Sequence, residues 1–334
     1  MAKGFLATPE PMRTGKAAEH ERTAASAEKR RRDMENGYVI EAHDIKKKYK
    51  GFALDIPELK IPTGFATALI GENGAGKTTL LNILSGILLQ YQGEIRYFDK
   101  YTDKDREEIP DVKELMGYTA SGSYYVAQWK LREVEEISEM LFQGFHRERF
   151  EKWCDDLAVG AGGWDPKQKV SALSDGNRMK LMIAGALARD TRLLVMDEPA
   201  SPLDPLMRDR LCEIIREYLT EGDGQRSVFF STHNVADMEN VTDYAIIMEQ
   251  GRIVEQGFVE DLKEKYVLVK GDAADAGKAQ DKLFTCSANQ YGFEGICLAE
   301  NLNRLADVSV NMERPSLTQI SVAVMKHYSK IVKG

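Results

Sequence analysis

No run of apolar residues in this chain approaches the roughly 20 that a membrane-crossing helix needs. The N-terminus lacks the short apolar core of a secretion signal. Cysteine is scarce. Cys154, Cys212, Cys286 and Cys297 are scattered without metal-ligand spacing, a pattern of free thiols in a reducing compartment. Positive charge is in deficit, with 45 Lys and Arg against 53 Asp and Glu and a formal net charge of −8. That balance excludes a broad nucleic-acid-binding face, so no nucleic-acid partner is expected. No internal repeat is found either. What is left is an ordinary soluble composition, 43% apolar and 29% charged, expected in the cytoplasm. Its 334 residues suffice for two to three structural units.

Against these absences one stretch stands out. Gly71-Glu72-Asn73-Gly74-Ala75-Gly76-Lys77-Thr78 fits the phosphate-cradling pattern G-x-x-x-x-G-K-[ST] at every fixed position. It follows a strand-like run, Phe65 to Ile70, and leads into a helix-like run that starts at Thr79. The glycines let successive backbone N–H groups point at one anion, and the new helix adds the positive end of its dipole. Lys77 is then in reach of the β- and γ-phosphates, and the Thr78 hydroxyl of a Mg²⁺ ion. A bound nucleoside triphosphate is expected against Gly71, Asn73, Gly74, Ala75, Gly76, Lys77, Thr78 and Thr79.

Residues 1–36 are polar, carry the basic run Lys29-Arg30-Arg31-Arg32 among acidic neighbours, and read as a disordered or partly helical tail. Strand-like runs follow from Tyr38 to Ile56 and from Gly93 to Phe98. From about Trp129 to Arg189 the periodicity turns helical. Leu131, Val134, Ile137, Met140 and Leu141 share one face; Phe150, Trp153 and Leu157 share another. Strand and helix then alternate from Leu193 to Met248, including an element over Val235 to Val241, which implies a largely parallel sheet wrapped by helices. A strand at Tyr266 to Val269 opens a separate C-terminal unit. A linker-like Gly271 to Gly277 comes next, and Pro315-Ser316 caps a last helix that runs to about Ile331.

Leu193-Leu194-Val195-Met196-Asp197-Glu198 is a buried strand ending in two acids. Beside a phosphate loop such a strand delivers Asp197 to the metal and places Glu198 where it can polarise an attacking water. Three further stretches complete a family pattern. Leu173-Ser174-Asp175-Gly176-Asn177 resembles the signature of ABC ATPases, Ser201-Pro202-Leu203-Asp204 their D-loop, and Ser231-Thr232-His233 their switch histidine. The resemblance covers about residues 38–260. It implies an α/β P-loop ABC ATPase fold with a RecA-like core, an N-terminal antiparallel β subdomain, a helical subdomain over about 122–190 and a small C-terminal α+β extension. The nucleotide-binding domain would span 37–262 and the accessory domain 263–334. It further implies head-to-tail dimers of two copies. In these, Ser174 and Gly176 touch the γ-phosphate from across the interface, Asp204 lies near the nucleotide, and Glu198, His233 and Lys77 act in hydrolysis. The adenine-stacking aromatic would be Tyr49, with Phe52 as the rival.

Departures from the family are local. Asp175 and Asn177 replace a glycine and a glutamine of the signature, and an acid there is expected to point outward. Where the family carries the glutamine that assists the metal, Ser121 stands, and Gln128 lies seven residues further on; either can take that role. One phosphate loop and a short helical insertion resemble a transporter subunit, which implies a separate transmembrane permease and a place on the inner face of the membrane. A stand-alone cytosolic ABC ATPase is the alternative. Tyr124, Tyr125 and Trp129 fall where the family receives a helix of its membrane partner. The tail, with Tyr291-Gly292-Phe293-Glu294-Gly295 and Glu313-Arg314-Pro315-Ser316-Leu317, resembles ATPase subunits of bacterial ABC-2-type exporters, among them exporters of phenol-soluble modulins and antimicrobial peptides.

Overall fold

The computed structural model describes residues 37–103, 110–160 and 163–333; the expected tail over residues 1–36 lies outside them. The first half holds β1 (Tyr38–Tyr49), β2 (Phe52–Pro62), β3 (Ala66–Ile70), α1 (Lys77–Leu84), β4 (Gln92–Tyr97), β5 (Tyr101–Thr102), α2 (Pro110–Glu114) and β6 (Met116–Thr119). The helical insertion supplies α3 (Leu131–Leu141), α4 (Arg147–Asp156) and α5 (Asp175–Leu187). Next come β7 (Leu193–Asp197), α6 (Pro205–Glu221), β8 (Ser227–Thr232), β9 (Tyr244–Glu249) and β10 (Arg252–Phe258). The C-terminal part adds α7 (Val259–Lys265), β11 (Tyr266–Gly271), α8 (Ala276–Ala279), β12 (Thr285–Asn289), β13 (Gly292–Leu298), β14 (Val310–Glu313) and α9 (Leu317–Lys333).

A six-stranded sheet in the order β10-β9-β3-β8-β7-β6 forms the centre, parallel except for β10. Its strands read as unbroken apolar runs because both faces are covered. On one face Ala68, Leu194, Met196, Phe230 and Ile247 join a core shared with α3 to α6. On the other, Leu69, Val195, Phe229 and Met248 meet α1 and the antiparallel sheet β2-β1-β4-β5. Helix starts follow capping chemistry. Ser174 Oγ accepts the Asn177 N–H ahead of α5, and Asp204 caps α6 with Pro205 in its first turn. Ser316 and Gln319 exchange hydrogen bonds of 2.9 and 3.1 Å at the start of α9.

Three sequence expectations are corrected. Met140 and Leu141 do not share the buried face of α3; they are 85% and 66% exposed, while Glu135 and Ser138 are buried with Leu131 and Val134. The apolar stripe outruns the core at its C-terminal end, so periodicity named a face that no described residue there covers. Residues 271–277 are not a linker but fold into a 3₁₀ turn and the start of α8, whose Ala279 is fully buried. The element expected over Val235 to Val241 consists of two short 3₁₀ turns. The C-terminal residues form their own sheet, β12-β13-β11-β14. Leu268, Ile296, Leu317, Ile320 and Val324 nevertheless pack into the main core. Among the described residues no helix is long and apolar enough to cross a membrane.

Candidate functional site

Three neighbouring parallel strands end side by side: Ile70 of β3 pairs with Thr232 of β8, and Asp197 of β7 pairs with Ser231. The residues just past these ends are Gly71, Glu198 and His233, so the topology itself gathers them at the carboxyl edge of the sheet.

The loop after β3 curls back with the Ala75 N–H donating to Glu72 O at 3.1 Å. Gly76 then enters α1 with φ of 105°, a left-handed conformation that glycine adopts freely, and a Cβ there would sit 2.6 Å from the Phe52 ring. The first-turn N–H groups of Lys77, Thr78 and Thr79 have no partner within the helix, and Gly76 offers no side chain to cap them. Lys77 is 6% exposed, yet its Nζ donates to the loop's own carbonyls, Gly71 O at 2.7 Å and Glu72 O at 3.3 Å, and pairs with Glu198 Oε1 at 3.2 Å. Asn73 and Gly74 stand exposed at the lip. A cradle of free N–H groups with a sheltered cation is what a phosphate chain requires.

Opposite the lysine, Thr78 Oγ1 donates to Asp197 Oδ2 at 2.9 Å. Asp197 is 1% exposed, and its other oxygen accepts the Ser231 hydroxyl at 2.6 Å. The Ser231 oxygen accepts in turn the Glu198 N–H at 2.9 Å. Glu198 has φ of 53°, the left-handed region a glutamate seldom adopts, so this brace holds a strained backbone that turns its carboxylate toward Lys77. His233 Nδ1 lies 2.7 Å from Glu198 Oε2, and the His233 N–H donates to the same oxygen at 3.4 Å. Among the described residues no group of three His, Cys, Asp or Glu side chains has metal-site geometry. The Thr78 and Asp197 oxygens nonetheless fit Mg²⁺, which takes few protein ligands and completes its shell with water and phosphate oxygens.

Other expected residues are placed as follows. Tyr49 is 48% exposed at the end of β1, 6.4 Å ring to ring from Phe52, and Phe52 itself is taken up against Gly76. Ser121 lines a cavity of about 750 Å³ together with Thr78 and Asp197, whereas Gln128 is exposed and does not line it. Tyr124, Tyr125, Trp129, Ile137 and Leu141 wall the same cavity. The Asp175 carboxylate is 87% exposed and pairs with Arg178 at 3.1 Å. Gly176 abuts the 201–204 segment so closely that a Cβ would lie 2.8 Å from Pro202 O. Among the described residues, no hydrogen bond or ion pair joins Ser174, Gly176 or Asp204 to the 71–79 loop.

Two contributors were missed in the sequence. Ser231 braces both acids, and its signal was a hydroxyl directly after the apolar run Val228-Phe229-Phe230. Tyr118 OH donates to Asn82 Oδ1 at 2.9 Å, tying β6 to α1; burial, with the Asp197 charge adding, pushes this phenol up, so it stays neutral.

Comparison with known proteins gives a consistent picture. Residues 54–201 match the family model described as ABC transporter. The chain is 31% identical to an uncharacterised ABC transporter ATP-binding protein of Nostoc sp., over 67% of this chain and 68% of that one. It is 27% identical to the human ATP-binding cassette sub-family A member 6 over 69% of its own length but spans only 14% of that protein. In fold it resembles a dimeric ATP-binding cassette in a post-hydrolysis state bound to ADP and Pi, with a TM-score of 0.56 and 20% identity over 66% of this chain and 98% of the other.

Proposed function

The chain belongs to the ABC transporter ATP-binding family, and from that premise we propose that it binds and hydrolyses ATP with Mg²⁺ as the motor of a transporter whose membrane-crossing part is a separate permease. The observation that carries the reading is the convergence of Lys77, Thr78, Asp197, Glu198 and His233 on one spot at the sheet edge. The N–H groups of Gly74 and of Gly76 to Thr79 bind phosphate oxygens, with Ala75 shaping the turn between them, and Lys77 exchanges loop carbonyls for the β- and γ-phosphates. Thr78 and Asp197 hold the metal, with Ser121 on the same cavity wall. When bound, Mg²⁺ neutralises charge on the terminal phosphates and fixes their orientation. Glu198 orients the attacking water and accepts its proton, while His233 holds the second carboxylate oxygen. Tyr49 stacks on the adenine.

A second copy of this chain completes the site. Ser174, which is exposed, and Gly176 sit at the positive end of the α5 dipole, a place suited to a γ-phosphate held by the other copy. The solved cassette of like fold is a dimer with ADP and Pi, which supports this arrangement. ATP then binds the closed pair more tightly than the separate subunits, and its cleavage reopens the pair. The cavity beside Thr78 and Asp197 takes a helix of the permease. Its rim exposes Ile87, Tyr124 and Leu141, an apolar surface next to the metal residues. The subunit works at the inner face of the membrane through that contact. Export, with peptides as cargo, rests on the tail around Glu313 to Leu317.

In a Glu198→Gln variant ATP binds at parental affinity, hydrolysis falls below about 1% of the parental rate, and saturating ATP drives the chain into dimers visible by light scattering. Turnover at the parental rate removes Glu198 from the proton transfer. Purification from membranes then tests the partner: a co-purifying polytopic subunit supports the transporter, and its consistent absence supports a stand-alone ATPase.

A further inference from the structure

His233 opens a run of tight turns that close on one another. The Met238 N–H donates to Val235 O at 3.1 Å and the Val241 N–H to Met238 O at 3.2 Å. The Thr242 hydroxyl donates to Met238 O at 2.7 Å. Two distant elements hold this run from outside. From α6, Arg208, Cys212 and Arg216 follow at four-residue spacing on one helix face. They reach Asp237 Oδ1 at 2.8 Å, Asp237 O at 3.6 Å and Asn240 O at 2.9 Å. Arg208 also donates from Nε to Leu203 O at 2.9 Å, so one side chain joins the turns to the 201–204 segment.

From the other end of the chain, α9 plants its first turn on Glu239. Glu239 Oε1 accepts the Leu317 N–H at 2.8 Å. Its Oε2 accepts the Thr318 hydroxyl at 2.9 Å and the Thr318 N–H at 3.3 Å. Lys263 Nζ stands 3.7 Å away. A carboxylate at a helix N-terminus meets both unpaired N–H groups and the positive end of the dipole. Leu317 and Ile320 are fully buried, so α9 is a fixed anchor.

We propose that Glu239 is a positioning residue: by gripping the first turn of α9 it fixes the turns that carry His233, and so makes the C-terminal helix part of what holds His233 against Glu198. The proposal rests on the reading of Glu198 and His233 as the hydrolytic pair. A hydrogen bond as short as their 2.7 Å contact weakens steeply when one partner shifts or tilts, so slack in the turns reaches the carboxylate directly. Anything that docks on or displaces α9 then sets the hydrolysis rate without touching the nucleotide.

The mild variant Thr318→Val removes one hydroxyl donor; Glu239→Ala removes the whole grip, and Glu239→Gln keeps part of it. In Thr318→Val and Glu239→Ala kcat falls about three- to tenfold while KM for ATP stays within about twofold. Glu239→Gln recovers part of the loss. The double variant Glu239→Ala/Thr318→Val is no slower than Glu239→Ala alone, as two partners in one contact require. Amide hydrogen exchange over residues 233–241 speeds up in the same order. Parental kcat in Glu239→Ala, or a raised KM with kcat unchanged, overturns the proposal. Should the parental protein fail to hydrolyse ATP, the functional reading falls by itself; unchanged exchange over 233–241 in Glu239→Ala would still overturn the grip.

Discussion

Ser231 donates its hydroxyl to Asp197 Oδ1 at 2.6 Å while its oxygen accepts the Glu198 N–H, so one side chain aims both acids of the site. A hydrogen bond to a charged group contributes about 1.5–3 kcal/mol. In Ser231→Ala, Asp197 is free to turn away from Thr78, and the left-handed Glu198 loses its brace. We expect kcat to fall about tenfold or more and the Mg²⁺ concentration for half-maximal activity to rise. A Mg²⁺ titration of the ATPase rate checks this, and an unchanged midpoint would contradict the brace.

Much of this site was legible because phosphate and metal chemistry tolerate few residue types at fixed spacings. Lys77, Thr78, Asp197, Glu198 and His233 were named from the chain, and the fold brings them together. What stayed hidden depends on contacts between distant segments. Nothing in the order of residues says that Leu317 and Thr318 will cap onto Glu239 or that Ser231 will face Asp197. The α3 stripe failed for a related reason: spacing shows which side of a helix is apolar, not whether anything lies over Met140 and Leu141.

Gly176 separates two functions that a cruder substitution would confuse. With a Cβ only 2.8 Å from Pro202 O, Gly176→Ala forces the signature turn and the 201–204 segment apart. Among the described residues, neither segment bonds to the subunit's own phosphate loop. ATP affinity of the monomer therefore stays within about twofold, while ATP-driven dimerisation of the Glu198→Gln background weakens about tenfold or more. Equilibrium nucleotide binding and sedimentation on the same samples resolve the two effects, and loss of monomer affinity would refute the division of labour.

Position supports Ser121 over Gln128 as the residue that assists the metal. Ser121 shares a cavity wall with Thr78 and Asp197, while Gln128 is exposed outside it. Ser121→Ala should lower kcat about three- to tenfold and make it more sensitive to Mg²⁺, whereas Gln128→Ala should change neither. Steady-state ATPase rates of the pair test the assignment, and the reverse ranking would transfer the role to Gln128.

Glu135 gives a pH signature independent of nucleotide. It is 4% exposed on α3, and its Oε1 has no hydrogen-bond partner among the described residues. Burial raises its pKa above 4.5, the nearby Glu151 adds to the rise, and Arg147 opposes it. The native state therefore holds this proton more tightly than the unfolded chain does. The stabilisation is complete below 4.5 and is lost as the pH climbs through the raised native value, leaving a buried, poorly solvated charge at neutral pH. Glu135→Gln removes that charge at nearly constant volume. It should raise unfolding stability at neutral pH by about 1 kcal/mol and flatten the decline between acid and neutral conditions. Denaturant melts at pH values on either side of that range provide the comparison, and a variant that loses stability at neutral pH would show that the carboxylate is paired after all.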